Sequence, residues 1–267
     1  MNYNYTLHDA EEWAAFSGDY NPIHFDLQHV RKMGAEQLSV HGMRAMLDMK
    51  RHLSAVLLAD DPSQDFYTFS TRLRQPILCQ RPYHLQIASN GKQITGKLLD
   101  STTQESCFSS KLVSAPSLEL TVCEREHALV TDDIITHSQR FPGDASDITQ
   151  SWSFFDALLF QLLVKSPETL AMLTTALPEL TAETLVDVFA QIPIVQTHHE
   201  TYFSARLLTP DIYSHLGERL YYAIQPMLIM GSRNSGFILR AMIQARTQHQ
   251  PLMTTSVTLK TWPLAGN

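Results

Sequence analysis

A chain of 267 residues is long enough for one large domain or two of ordinary size. Its apolar share of 44% and charged share of 18% exclude a disordered polymer, and a net charge of −7 with no basic run argues against a nucleic-acid partner. Three widely spaced cysteines, Cys79, Cys107 and Cys123, form no CxxC pair and cannot all be bridged, so free thiols in a reducing, cytoplasmic setting are expected.

The opening MNYNYTLHDAEEW has early acidic residues and no apolar run, unlike a signal peptide. No later stretch approaches the ~20 apolar residues of a spanning helix, so no membrane partner is expected. Next comes FSGDYNPIHFD, Phe16 to Asp26, which places a carboxylate, an amide and an imidazole within six residues: Asp19, Asn21 and His24.

A helix is expected from about His41 to Leu58. Met43, Met46, Leu47, Leu53, Val56 and Leu57 recur near helical spacing, with Arg44, Asp48 and Lys50 between them. Four strand-like runs follow, FYTFSTRL, YHLQIAS, QITGKLL and SCFSSKLV, with a hairpin signal at SNGK, Ser89 to Lys92. The polar stretch from about Cys123 to Ser151 reads as a linker, with turn signals FPGD and SD.

Beyond it, SFFDALLFQLLVK reads as a helix apolar on nearly all sides, hence buried. Ser166 caps a restart with Pro167 in first position, and a further helical piece covers about Ala182 to Gln191. Four more strand-like runs close the chain. In FILRAMIQAR, Arg240, Gln244 and Arg246 share one face and Leu239, Ala241 and Ile243 the other, which suits a sheet with one wet face. Each half thus reads as a long apolar helix followed by about four strands. The expected class is α+β: two modules, residues 1–125 and 126–267, each a helix wrapped by a curved antiparallel sheet.

Asp19, Asn21 and His24 admit two readings. Gly18-Asp19 and Asn21-Pro22 are good turn formers, and Asx side chains satisfy their own backbone, so a polar loop suffices. Alternatively, Pro22 breaks any helix here and favours extended geometry before it, so the loop can turn Asp19 and His24 toward one cavity. The imidazole titrates near neutrality and a neighbouring carboxylate can share the acid–base work, while Asn21 can hold the loop or a water. At Val40 to Met43, VHGM, a glycine opening the helix leaves its N–H outward at the positive end of the dipole, suited to an oxyanion. Close packing alone would also account for Gly42.

FSGDYNPIHFD followed by HGM resembles the signature of MaoC-like, (R)-specific enoyl-CoA hydratases of the hot dog superfamily. Asp19, Asn21, Pro22, His24 and Asp26 match its first part and His41, Gly42 and Met43 its second. The resemblance covers about residues 8 to 60 well and weakens to about 115, where Gln80 and Arg81 stand in a region that often carries Gly-Asp. It implies a hot dog fold and a hydro-lyase interconverting trans-2-enoyl and (3R)-3-hydroxyacyl thioesters. Asp19 and His24 would be the acid–base pair, the Gly42 N–H would polarise the thioester carbonyl, and Asn21 would support the loop and substrate. No cofactor and no metal are implied. The partner would be an acyl-CoA or acyl-carrier-protein thioester, and two-module chains can pair as a homodimer. In the second half, Gly143 and Asp144 are present, but Thr149 stands where a histidine is required, so one working site per chain is expected.

His198-His199-Glu200 matches no HExxH motif, and neighbours on a strand point opposite ways, so a structural or surface role is expected. Ser39 is expected to cap the helix after it. Asp48, placed with Arg44 and His52 on a solvated face, is the one residue that would suit a hot dog thioesterase.

Overall fold

The computed structural model describes residues 1–60, 64–171, 173–178, 180–209 and 219–264. In chain order the elements are β1 (Asn2–Asn4), α1 (Leu7–Ser17), a tight turn of helix over Pro22–His24, α2 (Leu27–Lys32), β2 (Ser39–Val40), α3 (Gly42–Ala59), β3 (Phe66–Leu73), β4 (Ile77–Leu78), β5 (Pro82–Ser89), β6 (Gln93–Asp100) and β7 (Ser106–Ala115). There follow β8 (His127–Val130), α4 (Thr131–Ser138), α5 (Ser151–Lys165), α6 (Leu173–Ala176), α7 (Leu185–Gln191), β9 (Ile194–Ser204), β10 (Arg219–Ser232), β11 (Gly236–Arg246) and β12 (Pro251–Thr261).

Ten strands form one antiparallel sheet in the order β1-β5-β6-β7-β3-β9-β12-β11-β10-β8, and β2 pairs separately with β4. At its centre β3 and β9 run antiparallel from Phe66↔Ser204 to Arg72↔His198. The period-2 alternation of these strands turns Tyr67 and Phe69 of β3, Phe203 of β9 and Leu239, Ala241 and Ile243 of β11 into the core. Two long helices cover that face: α3 against β5 and β6, and α5 against β11 and β12. α3 buries Met43, Met46, Leu47, Met49 and Leu53 at helical spacing. Each such side chain stabilises the fold by about 1.5–3 kcal/mol. The approach to β6 is close enough to need a glycine, since a Cβ on Gly96 would lie 2.1 Å from the Met49 sulfur.

α3 and α5 meet across the middle of the sheet. The Trp152 ring stacks on Phe203 at 4.3 Å between centroids and donates its Nε1–H to Ser54 Oγ at 2.6 Å. Beside it lies a wholly buried polar cluster. Lys50 of α3 pairs with Asp156 of α5, which also accepts from His199 (2.8 Å), Thr201 (2.7 Å) and Thr255 (2.6 Å). Lys50 is therefore a core residue. Asp156 compensates its charge, and the rings of Phe69 and Trp152 flank it at 5.3 and 5.4 Å. His199 points inward to this cluster, while His198 and Glu200 point outward.

Two further expectations change. The polar stretch before α5 contains β8, which adds to the sheet edge beside β10, and α4. The outer face of the sheet at β11 is not wet at Gln244. The segment after β7 crosses it, and the Gln244 amide, 6% exposed, pairs with both backbone groups of Thr121 at 3.0 and 2.6 Å. Among the described residues no helix is long and apolar enough to cross a membrane.

Candidate active site

The motif loop is built by short-range turn chemistry. α1 starts with a capping box between Thr6 and Asp9 and ends at Gly18, whose φ of +82° favours glycine. Each polar side chain that follows holds a nearby N–H. Ser17 Oγ accepts from Asp19 N (3.1 Å), Asp19 Oδ1 from Asn21 N (3.2 Å) and Asn21 Oδ1 from Ile23 N (3.2 Å). Pro22, with its fixed φ and missing donor, starts the tight turn that ends at His24. Asp26 then caps α2, accepting from Gln28 N (2.8 Å) and His29 N (3.0 Å), and is exposed.

This chain of caps delivers Asp19 and His24 to the opening of α3. The His24 ring donates from Nδ1 to the Ser39 carbonyl at 2.7 Å, with Ser39 Oγ at 3.3 Å. That partner leaves Nε2 as a lone-pair acceptor. The His41 ring donates from Nε2 to the Asp19 carbonyl at 2.8 Å and lies 3.9 Å from Asp19 Oδ2. The two rings lie nearly face to face, 3.6 Å between centroids and 31° between planes. His41 is the N-cap position of α3, and Gly42 is its first residue. Its N–H is one of the donors a helix start leaves outside its own ladder.

Asp19, His24 and His41 are 9%, 6% and 3% exposed, and burial dominates their titration. It pushes the Asp19 carboxyl up to about 6 against the opposing Asn21 N–H. It pushes the His24 imidazole down to about 4 against the opposing Ser39 carbonyl. His41 is held well below the usual histidine range, first by burial and then by His24. At neutral pH both rings are uncharged acceptors and the carboxylate is the strongest base among the three.

The fold brings Asp19 and His24 together with His41, the residue before Gly42. Asn21 lies in the same loop, with its side-chain oxygen committed to the turn. Ser39 does not cap α3. It lies in β2 and orients His24 through its carbonyl. His41 stands apart from the candidate roles, although its signal was present, a histidine beside the helix-opening glycine. Its Nδ1 is buried without a hydrogen-bond partner. One donor atom from each of Asp19, His24 and His41 falls within 4.8 Å of the others, close enough to hold a metal ion. One ring nitrogen of each histidine already serves a backbone carbonyl, however. In the second half, Asp144 is exposed and accepts from Ser146 N at 2.9 Å, and Thr149 Oγ1 donates to Asp147 at 2.8 Å. Asp48, expected to be solvated, is partly covered by the N-terminal strand and accepts from Tyr5 and Arg44, each at 3.1 Å.

Neither a protein-family model nor a curated protein matches this sequence. Solved structures do. A MaoC-like dehydratase aligns with 98% of this chain and 95% of its own at 10% identity and a TM-score of 0.51. A putative MaoC domain protein dehydratase from Chloroflexus aurantiacus J-10-fl aligns with 100% of this chain and 94% of its own at 8% identity and a TM-score of 0.50. At these identities the likeness is one of fold, and it agrees with the long helices laid against one antiparallel sheet. The chain therefore has a fold similar to that of these two MaoC-like dehydratases.

Proposed function

We propose that this protein is a hydro-lyase that interconverts trans-2-enoyl and (3R)-3-hydroxyacyl thioesters, with Asp19 and His24 as its acid–base pair. The observation that carries this reading is the placing of Asp19 and His24, both buried, with side-chain donor atoms within 4.8 Å of each other beside the opening of α3; burial there pushes the carboxyl up to about 6 and the imidazole down to about 4. Groups pushed apart in this way mark acid–base assignments.

In hydration, one water donates a hydrogen to His24 Nε2 and the other to Asp19. Its lone pair is thereby directed at C3 of the enoyl chain. As the O–C3 bond forms, the Asp19 carboxylate takes the proton and the C2=C3 electrons move onto the thioester oxygen. The Gly42 N–H, at the positive end of an 18-residue helix, stabilises that oxyanion. Asp19 then returns the proton to C2, which restores the carboxylate and completes the addition of water. Asn21 keeps Asp19 and His24 in register by holding the turn between them. Dehydration is the reverse.

The halves on either side of the β3–β9 pairing support a two-module reading. Each contributes five strands to the sheet and one long helix, and the acid–base pair occurs in the first. Module boundaries near 125/126 leave β8 and α4 with the second. A non-catalytic acyl-thioester binder would have no use for two buried, oppositely shifted groups.

The test is hydration of trans-2-enoyl thioesters of graded length, on CoA and on a carrier protein, with chiral analysis of the product. A (3R)-hydroxyacyl thioester is expected. Release of free thiol without hydration, or a (3S) product, overturns the proposal.

A further inference from the structure

The outer face of the sheet, opposite α3, carries a groove of about 270 Å³ across β7, β3 and β9. Strand register arranges its side chains in two rows. One runs Lys97, Ser109, Arg72, His198 and the next Thr95, Lys111, Ser70, Glu200. Arg72, Lys97 and Lys111 are exposed, and among the described residues none of them is in an ion pair. Arg74, just past β3, is exposed too and reaches Ser109 Oγ at 3.3 Å. The acid of the groove, Glu200, faces Arg240 at 3.4 Å. Cations thus gather on one small area of a chain whose net charge is −7. The field is felt locally: after burial, Arg72 and Arg74 are what hold the His198 imidazole below its ordinary value. The register sets each cation opposite a serine, a threonine or His198 rather than opposite another cation, so the charges are spread over the area without direct cross-strand repulsion.

Its position relates it to the candidate active site. Leu73 lies between Arg72 and Arg74 and points to the opposite face, where a Cβ on Gly42 would meet its Cδ2 at 2.6 Å. The groove therefore begins one residue from the opening of α3, across the end of β3. Arginine, lysine and serine hydroxyls around a concavity form the donor set that phosphate oxygens require.

We infer that this groove binds the phosphate-bearing handle of the thioester substrate as it leaves the site over the end of β3. The inference rests on the hydro-lyase reading for the identity of the ligand. Its chemistry, an anionic phosphate ester, is shared by CoA, whose nucleotide end carries a phosphate monoester, and by a carrier, whose phosphopantetheine is a phosphodiester to the carrier's serine. Arg72 and Lys111 are the principal contacts, with Ser70 and Ser109 as hydroxyl donors.

The experiment is titration calorimetry of the full chain with 3′,5′-ADP and, separately, with 4′-phosphopantetheine, for wild type, Arg72→Glu and Lys111→Gln. Circular dichroism checks the fold of each variant. Binding of at least one probe is expected, weakened about tenfold or more by each substitution. Preference for 3′,5′-ADP assigns the groove to the nucleotide end of CoA, and preference for 4′-phosphopantetheine assigns it to the pantetheine phosphate that CoA and a carrier share. Binding of neither probe, or equal binding by all three proteins, overturns the inference. Because this readout needs no turnover, it is separate from a failure of the hydro-lyase reading. In an active enzyme, the ratio of CoA-thioester to N-acetylcysteamine-thioester kcat/KM should also fall about tenfold in Arg72→Glu.

Discussion

The imidazoles of His24 and His41 lie face to face, 3.6 Å between centroids, with each ring tied by one nitrogen to a different backbone carbonyl. Two stacked, buried histidines cannot both carry a proton at low cost. His24 helps to keep His41 neutral, and His41 holds the Asp19 backbone through its carbonyl. It is a positioning residue of the proposed site. His41→Phe keeps a ring beside His24 but removes the bond to Asp19. It should reduce kcat with little change in KM, whereas His41→Gln, which can restore a donor to the Asp19 carbonyl, should recover part of the rate.

Removal of the acid–base groups is the direct test of the chemistry. Asp19→Asn and His24→Gln should each lower kcat by about 10² to 10⁴. Both keep a polar group in place, so thermal melts should stay close to wild type. A variant with near-wild-type rates on every active substrate would remove that residue from the mechanism.

The pH–rate profile should show an acid limb near 6. The Asp19 carboxyl, raised to about 6, must be ionised to accept the proton of water, so kcat/KM rises with pH through that value. His24, lowered to about 4, stays neutral throughout this range. The limb should be absent from the residual rate of Asp19→Asn.

The same two groups affect stability with opposite signs. His24 folds with a pKa of about 4 against its ordinary 6.5, so unfolding takes up a proton between those values. Its contribution is complete above 6.5 and is lost as pH falls toward 4. Asp19 folds with a pKa of about 6 against 3.8, so the folded state holds the extra proton and stability is lost as pH rises from 3.8 to 6. The two largely offset each other between about 4 and 6. Asp19→Asn removes one side of that balance, and its denaturant midpoint should fall more steeply than wild type as pH drops from 6.5 to 4.

Breaking the core ion pair should cost more than any change in the site. Asp156→Ala leaves Lys50 buried without its counter-charge and frees His199, Thr201 and Thr255 from their shared acceptor. A loss of about 3–5 kcal/mol in denaturant unfolding is expected. Lys50→Met combined with Asp156→Leu should recover the part owed to the unpaired lysine charge, while His199, Thr201 and Thr255 remain without their shared acceptor.

Local chemistry made the motif loop and the two long helices readable. Gly18, Asn21, Pro22 and Asp26 act on backbone groups within three or four residues, and such turns depend little on the rest of the chain. The apolar spacing of α3 was equally local, and its expected span of about 41 to 58 lies within one residue of Gly42–Ala59. The strand-like runs and the SNGK hairpin followed from alternation and a glycine at positive φ.

What periodicity could not assign were the polar residues whose partners lie far along the chain. Nothing local marks Lys50 as buried, because its counter-charge is 106 residues away, and Gln244 reads as wet because the segment that covers it is 123 residues away. Ser39 reads as a helix cap because its bond to His24 spans a loop. In each case the free energy of a buried polar group is set by its partner, and only the folded chain brings that partner within hydrogen-bond distance. The sequence by itself determined which residues could do acid–base chemistry and on what framework. The tertiary structure decided their protonation, because burial moves Asp19 and His24 in opposite directions, and burial belongs to the packed chain.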